Sequence, residues 1–553
     1  MTSPKETHFH RIGQIAEVLS QHGLGSLYSA LGLHRFASSA KVPAERHATP
    51  TPPEHLRMAL EELGATFVKL GQLLSTRADL LPPEYLVELA KLQDSVPPVP
   101  TEQIQELLVA ELGKPIDAAF ASFDPKPLAA ASIGQTHTAT RHNGVQVVIK
   151  IQRPGVAKQV EQDLDILRNL AATASHHWEV GEQYDLVGLE EEFEQTIREE
   201  LDYFHEARNA ERFAANFEGD KSVHIPRVFW DTSTSRVLTL ELISGVKVSD
   251  QSKLDAEHID RKALAERGAR IVLKMIFEDG FFHADLHPGN LFVESDGRVG
   301  LIDFGMTGTL DERTRDRLAD LIIAISNQDY DQLVEVILEL GLSKKRVDRS
   351  LLLHDLEVLI KPCYGKELRE IKLTPLLNGV FNILRKYYLH LPPDLTLVLK
   401  TVIMAEGMGA SLDPSFDLMA VIEPYADRMM QQQYSLSRWV GKLAPASMEM
   451  ARLGLIVPQQ LRRVLGEIER GSLEIGMRPD SLEPLVLRME SLANRLVLSI
   501  LAGALIVGSA VLLSFYHPQG WERWTGPMLK FGFLISASLG LYLAWRIVRS
   551  RKK

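Results

Sequence analysis

The sequence has little of what several common classes of protein depend on. Its 553 residues include a single cysteine, Cys363, which excludes an internal disulfide and any CxxC redox or metal motif. The formal net charge is −11, so a nucleic-acid partner would receive no electrostatic support, and we expect none. The first residues carry neither a long apolar run nor an arginine-rich amphipathic pattern, so we expect no secretory signal or transit peptide.

The segment 283–305 carries the densest motif of the chain and reads HADLHPGNLFVESDGRVGLIDFG. Two short apolar runs separated by a Ser-Asp-Gly turn predict a β-hairpin. A hairpin brings its ends together, so we expect Asn290 and Asp303 to be neighbours, with Asp285 close by. Two carboxylates and an amide oxygen form a site for a hard cation such as Mg²⁺. In kinases, such residues orient the acceptor hydroxyl and hold magnesium beside the nucleotide phosphates.

A second set of residues lies upstream, where the sequence pattern indicates strands. Lys150 ends the apolar run VQVVIK, which follows an Asn-Gly turn and the small residues of 129–135. In the kinase N-terminal lobe, a lysine in this place binds nucleotide phosphates and pairs with a helix carboxylate. The charged segment 190–212 predicts one helix, with Asp202 and Glu206 four residues apart on one face. Both carboxylates are candidate partners of Lys150.

Two elements of an ordinary protein kinase are missing. No GxGxxG loop precedes Lys150, and Ala129-Ala-Ala-Ser-Ile-Gly134 stands in its place. Alanine Cβ atoms hinder the close approach of backbone to phosphate that glycine allows. No Ala-Pro-Glu segment follows Asp303, and the chain runs from Met306 directly towards a predicted helix. The apparatus for docking a peptide is therefore absent from the sequence.

The region before the strands is predicted to be helical. Leucine and phenylalanine recur in steps of four and three from Leu56 to Leu74, which predicts one amphipathic helix. Lys69, Gln72 and Thr76 share another face of that helix. A proline-rich break precedes a second predicted helix at 101–112.

The C-terminal end departs sharply from the average composition. The segment 496–516 has no charged residue, and 528–548 is a second apolar stretch with basic residues only near its ends. Each is long enough to cross a hydrocarbon core of about 30 Å, so we predict two transmembrane helices. Basic residues concentrate outside this hairpin, which places the large domain and both termini in the cytoplasm. Small residues four apart, Ala504 with Gly508 and Ser536 with Gly540, allow close helix packing, also between the subunits of a homodimer.

In this order, the motifs resemble those of the AarF/UbiB family of atypical kinases, membrane-linked proteins associated with ubiquinone biosynthesis. The resemblance covers about residues 56–310, and the C-terminal hairpin resembles the UbiB branch. Lys69-Leu-Gly-Gln72 is similar to the KxGQ motif of the family, and Lys150 to its VAVK lysine. The other matching positions are the nucleotide loop Ala129, Ala130, Ala131, Ser132, Ile133, Gly134 and Gln135, the ExD residues Glu200 and Asp202, the helix glutamate Glu206, and Asp285, Asn290 and Asp303. Gly134 departs from a frequent alanine, which bears on how the nucleotide is held.

The resemblance implies ATP and Mg²⁺ as cofactors, with ATP bound by the loop 129–135 together with Lys150. It implies catalytic roles and metal-binding roles for two groups of residues, respectively Asp285, Lys150 and Glu206, and Asn290 and Asp303. It also implies a regulatory lid, in which the KxGQ helices fold over the site and block a protein substrate. In that lid, Lys69 and Gln72 would lie near Glu200 and Asp202.

The predicted fold class is α+β, a bilobal protein-kinase-like fold with an N-terminal helical extension and a C-terminal two-helix transmembrane hairpin. The expected segments are, in order, an N-terminal segment and linker at 1–55, the KxGQ extension at 56–122, the kinase-like N-lobe at 123–245, the helical C-lobe at 246–440, an amphipathic connector at 441–495 and the hairpin at 496–548.

Three functions are compatible with these features. The first is an atypical kinase or ATPase at the inner membrane that binds Mg·ATP and acts on, or is regulated by, a membrane lipid or prenylated quinone precursor. The second is a non-catalytic, nucleotide-gated scaffold for other quinone-biosynthesis enzymes. The third is a Ser/Thr protein kinase, which requires the KxGQ segment to move aside.

Overall fold

The computed structural model describes residues 4–24, 51–92, 96–177, 185–326, 329–341, 347–363 and 373–433. The chain divides into two compact units, Met1–Trp439 and Val440–Lys553. The second unit lies outside the described residues. The predicted connector at 441–495 and the predicted hairpin at 496–548 therefore lie outside them as well.

The N-terminal extension is helical. Its helices are α1 (Pro4–Gln21), α2 (Pro52–Leu63), α3 (Ala65–Thr76), α4 (Pro83–Leu89), α5 (Thr101–Leu112) and α6 (Ile116–Ala119). The single helix predicted from the leucine repeat is wrong, because Gly64 adopts a φ of +94° and separates α2 from α3. The apolar faces of both helices still share one core with α1. The helix predicted at 101–112 is confirmed, and it ends at Gly113 in the left-handed conformation.

Polar contacts and one close approach position α3. Asp163, which is fully buried, accepts hydrogen bonds from Arg11 at 2.8 Å and from Thr66 at 2.7 Å. A Cβ placed on Gly71 would lie 2.2 Å from Leu92 Cδ1 and 2.9 Å from Leu60 Cδ1. The glycine of the KxGQ motif therefore allows α3 to pack closely against its neighbours.

The N-lobe is built on an antiparallel sheet with strand order β1-β3-β4-β6, in which β2 also pairs with β3. The strands are β1 (Ser122–Phe123), β2 (Ala129–Ala130), β3 (Gly134–Thr140), β4 (Gln146–Gln152) and β6 (Val237–Glu241). Val147, Ile149 and Ile151 of β4 pack in a core with Leu108 of α5. Since side chains alternate along a strand, Lys150 lies on the opposite face. There it binds Glu206 of α9 (Tyr203–Asn216). The other helices of this lobe are α7 (Val156–His177) and α8 (Leu186–Leu201).

The C-lobe carries the predicted hairpin and a set of helices. Strands β9 (Leu291–Val293) and β10 (Val299–Leu301) pair antiparallel, which confirms the hairpin. They form a sheet of order β5-β10-β9-β7 with β5 (Val223–His224) and β7 (Val246–Lys247), while β8 (Phe281–His283) pairs with β11 (Thr307–Thr309). The helices are α10 (Gln251–Ala256), α11 (Arg261–Leu273), α12 (Glu312–Ser326), α13 (Tyr330–Leu340), α14 (Arg349–Ile360), α15 (Leu373–Lys386), α16 (Pro393–Leu412) and α17 (Leu418–Gln433).

Helix α16 is the one helix in the described part of the chain that is long and apolar enough to cross a membrane. Half of its apolar stretch is buried inside the protein, and the helix packs against α11. Those contacts are typical of the core helix of a globular lobe.

Candidate active site

Three charged side chains meet at the centre of the site. Lys150 of β4 donates a hydrogen bond to Glu206 of α9, and its Nζ lies 3.3 Å from Oδ1 of Asp303. Glu206 is buried and also accepts from the backbone N–H of Phe304 at 3.2 Å. The lysine–glutamate pair that the family resemblance implies is therefore present.

Asp202, the other candidate partner of Lys150, lies between two helices. The single helix predicted at 190–212 is wrong, because α8 ends at Leu201 and α9 begins at Tyr203. The Asp202 side chain accepts a hydrogen bond from the Phe204 N–H at 3.0 Å, which is the bond of a helix N-cap. The break at Asp202 starts α9 in a direction that brings Glu206 to the lysine.

Asp303 has a left-handed backbone, with a φ of +64°, which is uncommon for any residue other than glycine. The next residue, Phe304, is fully buried beside the rings of Phe213 and His283. Its carbonyl oxygen accepts from the side chain of Asn209 at 3.0 Å. These contacts hold Phe304 inward, and the unusual backbone directs the half-exposed Asp303 side chain towards Lys150.

His283 supports the turn that carries Asp285. The histidine ring is fully buried, with Nε2 3.3 Å from the Ile302 carbonyl oxygen and Nδ1 accepting from the Asp285 N–H at 3.2 Å. This pattern fits a neutral ring with its proton on Nε2, and burial lowers the pKa of His283 in agreement. The Asn290 amide donates to the Asp285 carbonyl oxygen at 3.1 Å. The Ile302 N–H donates to the Asn290 carbonyl oxygen at 3.0 Å, so the backbone ends of the hairpin lie together, as predicted.

Lys400 of α16 is a site residue that the sequence reasoning missed. Its Nζ donates to Oδ1 of Asp285 at 3.1 Å. Burial raises the pKa of Asp285, but Lys400, together with His287, outweighs that effect, and the pKa is lowered overall. The sequence did contain a signal for it, namely a single lysine within an apolar helix. Because buried lysines are rarely unpaired, such a lysine predicts an acidic partner.

Lys150 and Asp303 stabilise each other in their ionised forms, while burial raises the pKa of Glu206. Burial alone would lower the pKa of Lys150, but Asp303 and Glu206 raise it above its ordinary value. Lys150 in turn lowers the pKa of Asp303, with a smaller contribution from Lys69. Asp303 is therefore an anion at neutral pH, and Lys150 is a cation.

The alanine-rich segment forms a tight hairpin at the edge of the site. Ala129 and Ala130 pair with β3, and the Ala131 N–H donates to the Gly134 carbonyl oxygen at 2.8 Å. The guanidinium of Arg153 donates to the Ala131 carbonyl oxygen at 2.7 Å. The backbone of this loop is therefore held by hydrogen bonds within the loop and by β4.

Gly134 has neighbours that leave no space for the alanine frequent at this position. A Cβ on Gly134 would lie 2.3 Å from the hydroxyl of Tyr203 and 2.9 Å from the carbonyl oxygen of Ile151. Tyr203 is buried and is the first residue of α9. The departure at Gly134 thus provides the space that Tyr203 occupies.

Gln135 is directed into the N-lobe. Its Oε1 accepts from the Val99 N–H at 2.9 Å, and its Nε2 lies 2.8 Å from Nε2 of His137. The side chain is almost completely buried. Its position favours a structural role, joining the proline-rich segment to β3, over the predicted contact with a nucleotide.

Helix α3 covers the site from the side of the extension. Lys69 forms an ion pair with Glu200 near the end of α8, as the resemblance implies. Leu73 of α3 and Ile133 of the alanine-rich loop belong to one buried cluster. Gln72, by contrast, donates to the Leu92 carbonyl oxygen at 3.3 Å and so binds within the extension.

The extension is also fixed to the helical lobe. Arg77, just after α3, is buried between Asp79 at 2.9 Å and Glu192 of α8 at 2.5 Å. Arg385 of α15 donates to the Ala78 carbonyl oxygen and to that of Leu81 at 3.2 Å. Charge-assisted bonds of this kind are strong, so α3 is held from both lobes.

The chain after Asp303 forms no peptide-docking segment. Thr307 and Thr309 of β11 pair directly with β8, and α12 begins at Glu312. This confirms that the chain runs straight into a new helix. The described segment from Asp303 to Ser326 therefore contains one short strand and one helix and no separate segment for docking a peptide.

The oxygen donors suit a magnesium ion that arrives with phosphate groups. In the described part of the chain, no three His, Cys, Asp or Glu side chains converge as a complete metal site. Asp303 offers a carboxylate, and the bond from the Asn290 nitrogen to Asp285 leaves the amide oxygen of Asn290 for a cation. Since Mg²⁺ commonly takes one or two protein carboxylates together with phosphates and water, the donor set fits Mg²⁺ bound with a nucleotide.

Three family models match the chain. They are the ABC1 atypical kinase-like domain at residues 91–337, the UbiB helical domain at 356–417 and the ABC1/UbiB kinase-like C-terminal domain at 480–549. A "Probable protein kinase UbiB" of Xanthomonas campestris pv. campestris (strain B100) is 35% identical over 550 residues, covering 97% of this chain and 99% of the relative.

Two further similar proteins come from other organisms. A "Probable protein kinase UbiB" of Xylella fastidiosa (strain M12) is 32% identical over 545 residues, which is 97% of this chain and 99% of that protein. Among solved structures, the complex of Rv3197 with erythromycin from Mycobacterium tuberculosis is 24% identical. It covers 66% of this chain and 93% of its own, with a TM-score of 0.47.

Proposed function

Because this chain belongs to the AarF/UbiB family of atypical kinase-like proteins, we propose that it binds Mg·ATP and acts as an atypical kinase or ATPase. The observation that carries the proposal is the position of Lys150, which binds Glu206 on one side and faces an outward-directed Asp303 on the other. Lys150 can bind phosphate oxygens there, and the carboxylate of Asp303 can bind a cation.

Each residue of the cleft would have a distinct task. Lys150, oriented by Glu206, would bind nucleotide phosphates, while Asp303 and Asn290 would hold the metal. Magnesium would supply charge neutralisation on the transferred phosphoryl group. Asp285, which a lowered pKa keeps ionised beside Lys400, would orient an acceptor hydroxyl or a water molecule.

The closed lid supports a small acceptor. The Lys69–Glu200 pair and the missing docking segment both argue against the peptide acceptor that the relatives' name, "Probable protein kinase UbiB", would suggest. Membership of the family supports a role in ubiquinone biosynthesis in broad terms and fits a membrane association. We therefore include a lipid-like quinone precursor as substrate or regulator, and a C-terminal hairpin that keeps the cleft on the cytoplasmic side.

The direct test is Mg²⁺-dependent ATP binding by the full-length protein in detergent, measured by calorimetry. Asp303→Asn should weaken binding by roughly 100-fold, because the cation and Lys150 both lose a carboxylate. Asp296→Asn, in the exposed turn of the same hairpin, is the matched control and should bind like the wild type. Equal affinity in the wild type and Asp303→Asn would overturn the proposal.

Catalysis and scaffolding are separated by Asp285→Asn. This variant should still bind Mg·ATP but lose phosphate release or transfer, assayed with and without a prenylphenol, and should fail to complement a quinone-deficient strain. Full complementation by Asp285→Asn would instead favour the nucleotide-gated scaffold.

A further inference from the structure

An apolar cavity of about 770 Å³ lies beside α3, on a different face of the helix from Lys69. It is lined by residues of α1, α2, α3, α7 and α8 and by Pro393 at the start of α16. The wall is mostly leucine and phenylalanine and includes Leu60, Phe67, Leu70, Leu74, Leu170 and Leu189. Its volume falls in the range of pockets that hold organic ligands, about 300–1,000 Å³.

Glu190 is the feature of this cavity that packing does not explain. Its side chain is 7% exposed, and neither carboxylate oxygen has a hydrogen-bond partner among the described residues. Buried polar groups in native proteins are almost always satisfied, by protein or by a ligand. Burial, and to a smaller extent Glu194, raises the pKa of Glu190. The group is thus available to a hydroxyl inside an apolar chamber.

The other polar groups of the wall are already engaged. Arg77 is paired with Asp79 and Glu192, while Asp185 and His390 have interactions of their own. Carboxyl groups outnumber the guanidinium on this wall, so a phosphate or carboxylate head would meet repulsion. The cavity wall therefore favours a head group that is neutral and can form a hydrogen bond with Glu190.

We propose that this cavity binds an amphiphile with an isoprenoid or alkyl chain and a neutral hydroxyl head, of the prenylated-phenol class, with Glu190 as the partner of the hydroxyl. The chain occupies the leucine-lined volume, and the head lies at α8. This site is separate from the nucleotide cleft. Its regulatory consequence rests on the proposed function, because it acts on the same lid.

The occupant contacts the helix that closes the cleft. Leu70 and Leu74 line the cavity, and their neighbour Lys69 pairs with Glu200 at the cleft. Helix α8 likewise carries Glu190 in the cavity wall and Glu200 at the lid. A ligand that prefers one arrangement of α3 therefore shifts the equilibrium of the lid by its differential affinity. Binding in the cavity is expected to change Mg·ATP affinity or turnover.

The first test is photocrosslinking of the full-length protein in detergent with a diazirine-bearing prenylphenol, followed by peptide mapping and a competition titration. Label is expected in α3, α7 and α8. Ala171→Phe narrows the cavity and should lower affinity at least tenfold. Ala172→Phe, at the exposed next position of the same helix, is the matched control and should bind as the wild type does.

The second test concerns the head group. The wild type should prefer a prenylphenol over its methyl ether and over a prenyl phosphate by roughly tenfold, about one hydrogen bond's difference. Glu190→Met should lose the preference over the ether, whereas Glu190→Gln and the exposed control Glu191→Gln should keep it. A phosphate that binds more tightly than the phenol would overturn the neutral-head assignment.

The outcomes separate this site from the nucleotide site. Asp303→Asn should lose Mg·ATP binding and keep prenylphenol binding, so failure of the nucleotide test leaves the cavity proposal standing. Wild-type label confined to other peptides overturns the cavity proposal even if Ala171→Phe does not fold. Wild-type affinity in a folded Ala171→Phe protein overturns it as well.

Discussion

The polar cleft and the apolar cavity lie against the same helix, α3, yet they hold their charges in opposite ways. In the cleft, Lys150 binds Glu206 and lies near Asp303, and Lys400 binds Asp285. The two lysines lower the pKa of Asp303 and of Asp285, whereas burial raises the pKa of Glu206. In the cavity, Glu190 is buried with no hydrogen-bond partner in the part of the chain that the structure describes, and burial raises its pKa. Paired charges prepare the first region for a multiply charged ligand, while the second offers a single hydrogen-bonding group to a neutral one.

The largest expected effect comes from breaking the central pair of the cleft. Glu206→Ala removes the partner of Lys150 and of the Phe304 N–H from a buried position. We expect a loss of about 3 kcal/mol in the free energy of unfolding, since a buried pair that loses one member is strongly destabilised. Chemical unfolding followed by tryptophan fluorescence measures it. Glu211→Ala, on the exposed side of α9, should lose less than about 1 kcal/mol, and equal losses would contradict the prediction.

The next largest effect concerns Gly134, in the hairpin at the edge of the cleft. Gly134→Ala should destabilise the protein by about 1–3 kcal/mol, because the new methyl group meets the Tyr203 hydroxyl and the Ile151 carbonyl oxygen. Adding Tyr203→Phe should restore part of the loss, with a coupling of about 1 kcal/mol in a double-mutant cycle. Gly407→Ala, in an α16 position with open space, should be neutral or stabilising by about 0.5–1 kcal/mol. Additive single losses would argue against the contact with Tyr203.

A smaller effect is expected in the wall between the two regions. Lys69→Met leaves Glu200 without its lid partner, and α3 should open more often. Hydrogen exchange of the α3 amides should accelerate roughly fivefold to tenfold, or about 1 kcal/mol, while the amides of β9 keep their protection. Lys91→Met removes an ion pair with Glu88 that involves a mostly exposed lysine and should change little. Unaltered α3 exchange in Lys69→Met would show that the pair does not hold the lid.

The smallest expected effect is the dependence of stability on pH. Its direction should be opposite for Glu190 in the cavity and for Asp303 in the cleft. The raised pKa of Glu190 contributes stability below the unfolded value of about 4.3, and this is lost as pH rises through the folded pKa. The free energy of unfolding of Glu190→Gln should therefore increase relative to that of the wild type as pH rises. The lowered pKa of Asp303 has the opposite effect, because it stabilises the folded protein at higher pH. The difference in free energy of unfolding between the wild type and Asp303→Asn should therefore shrink below about pH 4. Parallel unfolding curves from pH 3 to 8 would refute the contrast.

Local sequence pattern was sufficient for the hairpin of 291–301 and for the strand that carries Lys150, because a turn and an alternating pattern determine antiparallel pairing over a few residues. The same reasoning failed at Gly64 and Asp202. At Gly64 the apolar periodicity continues while the backbone breaks, since α2 and α3 bury their apolar sides in one core. At Asp202 the two helices bury apolar residues in two different cores. Periodicity reports which side of a segment is buried and does not report a change of direction.

The sequence by itself determined two local parts of the cleft, the hairpin that follows Asp285 and Asn290 and leads to Asp303, and the strand that carries Lys150, because both depend on antiparallel pairing between nearby residues. Only the tertiary structure decided the partners that come from distant helices. Lys400 reaches Asp285 from 115 residues along the chain, and Lys150 reaches Asp303 from 153 residues. Glu190 has no hydrogen-bond partner among the described residues, because the helices around it leave an apolar cavity. Both outcomes depend on how whole helices pack, which no local pattern encodes.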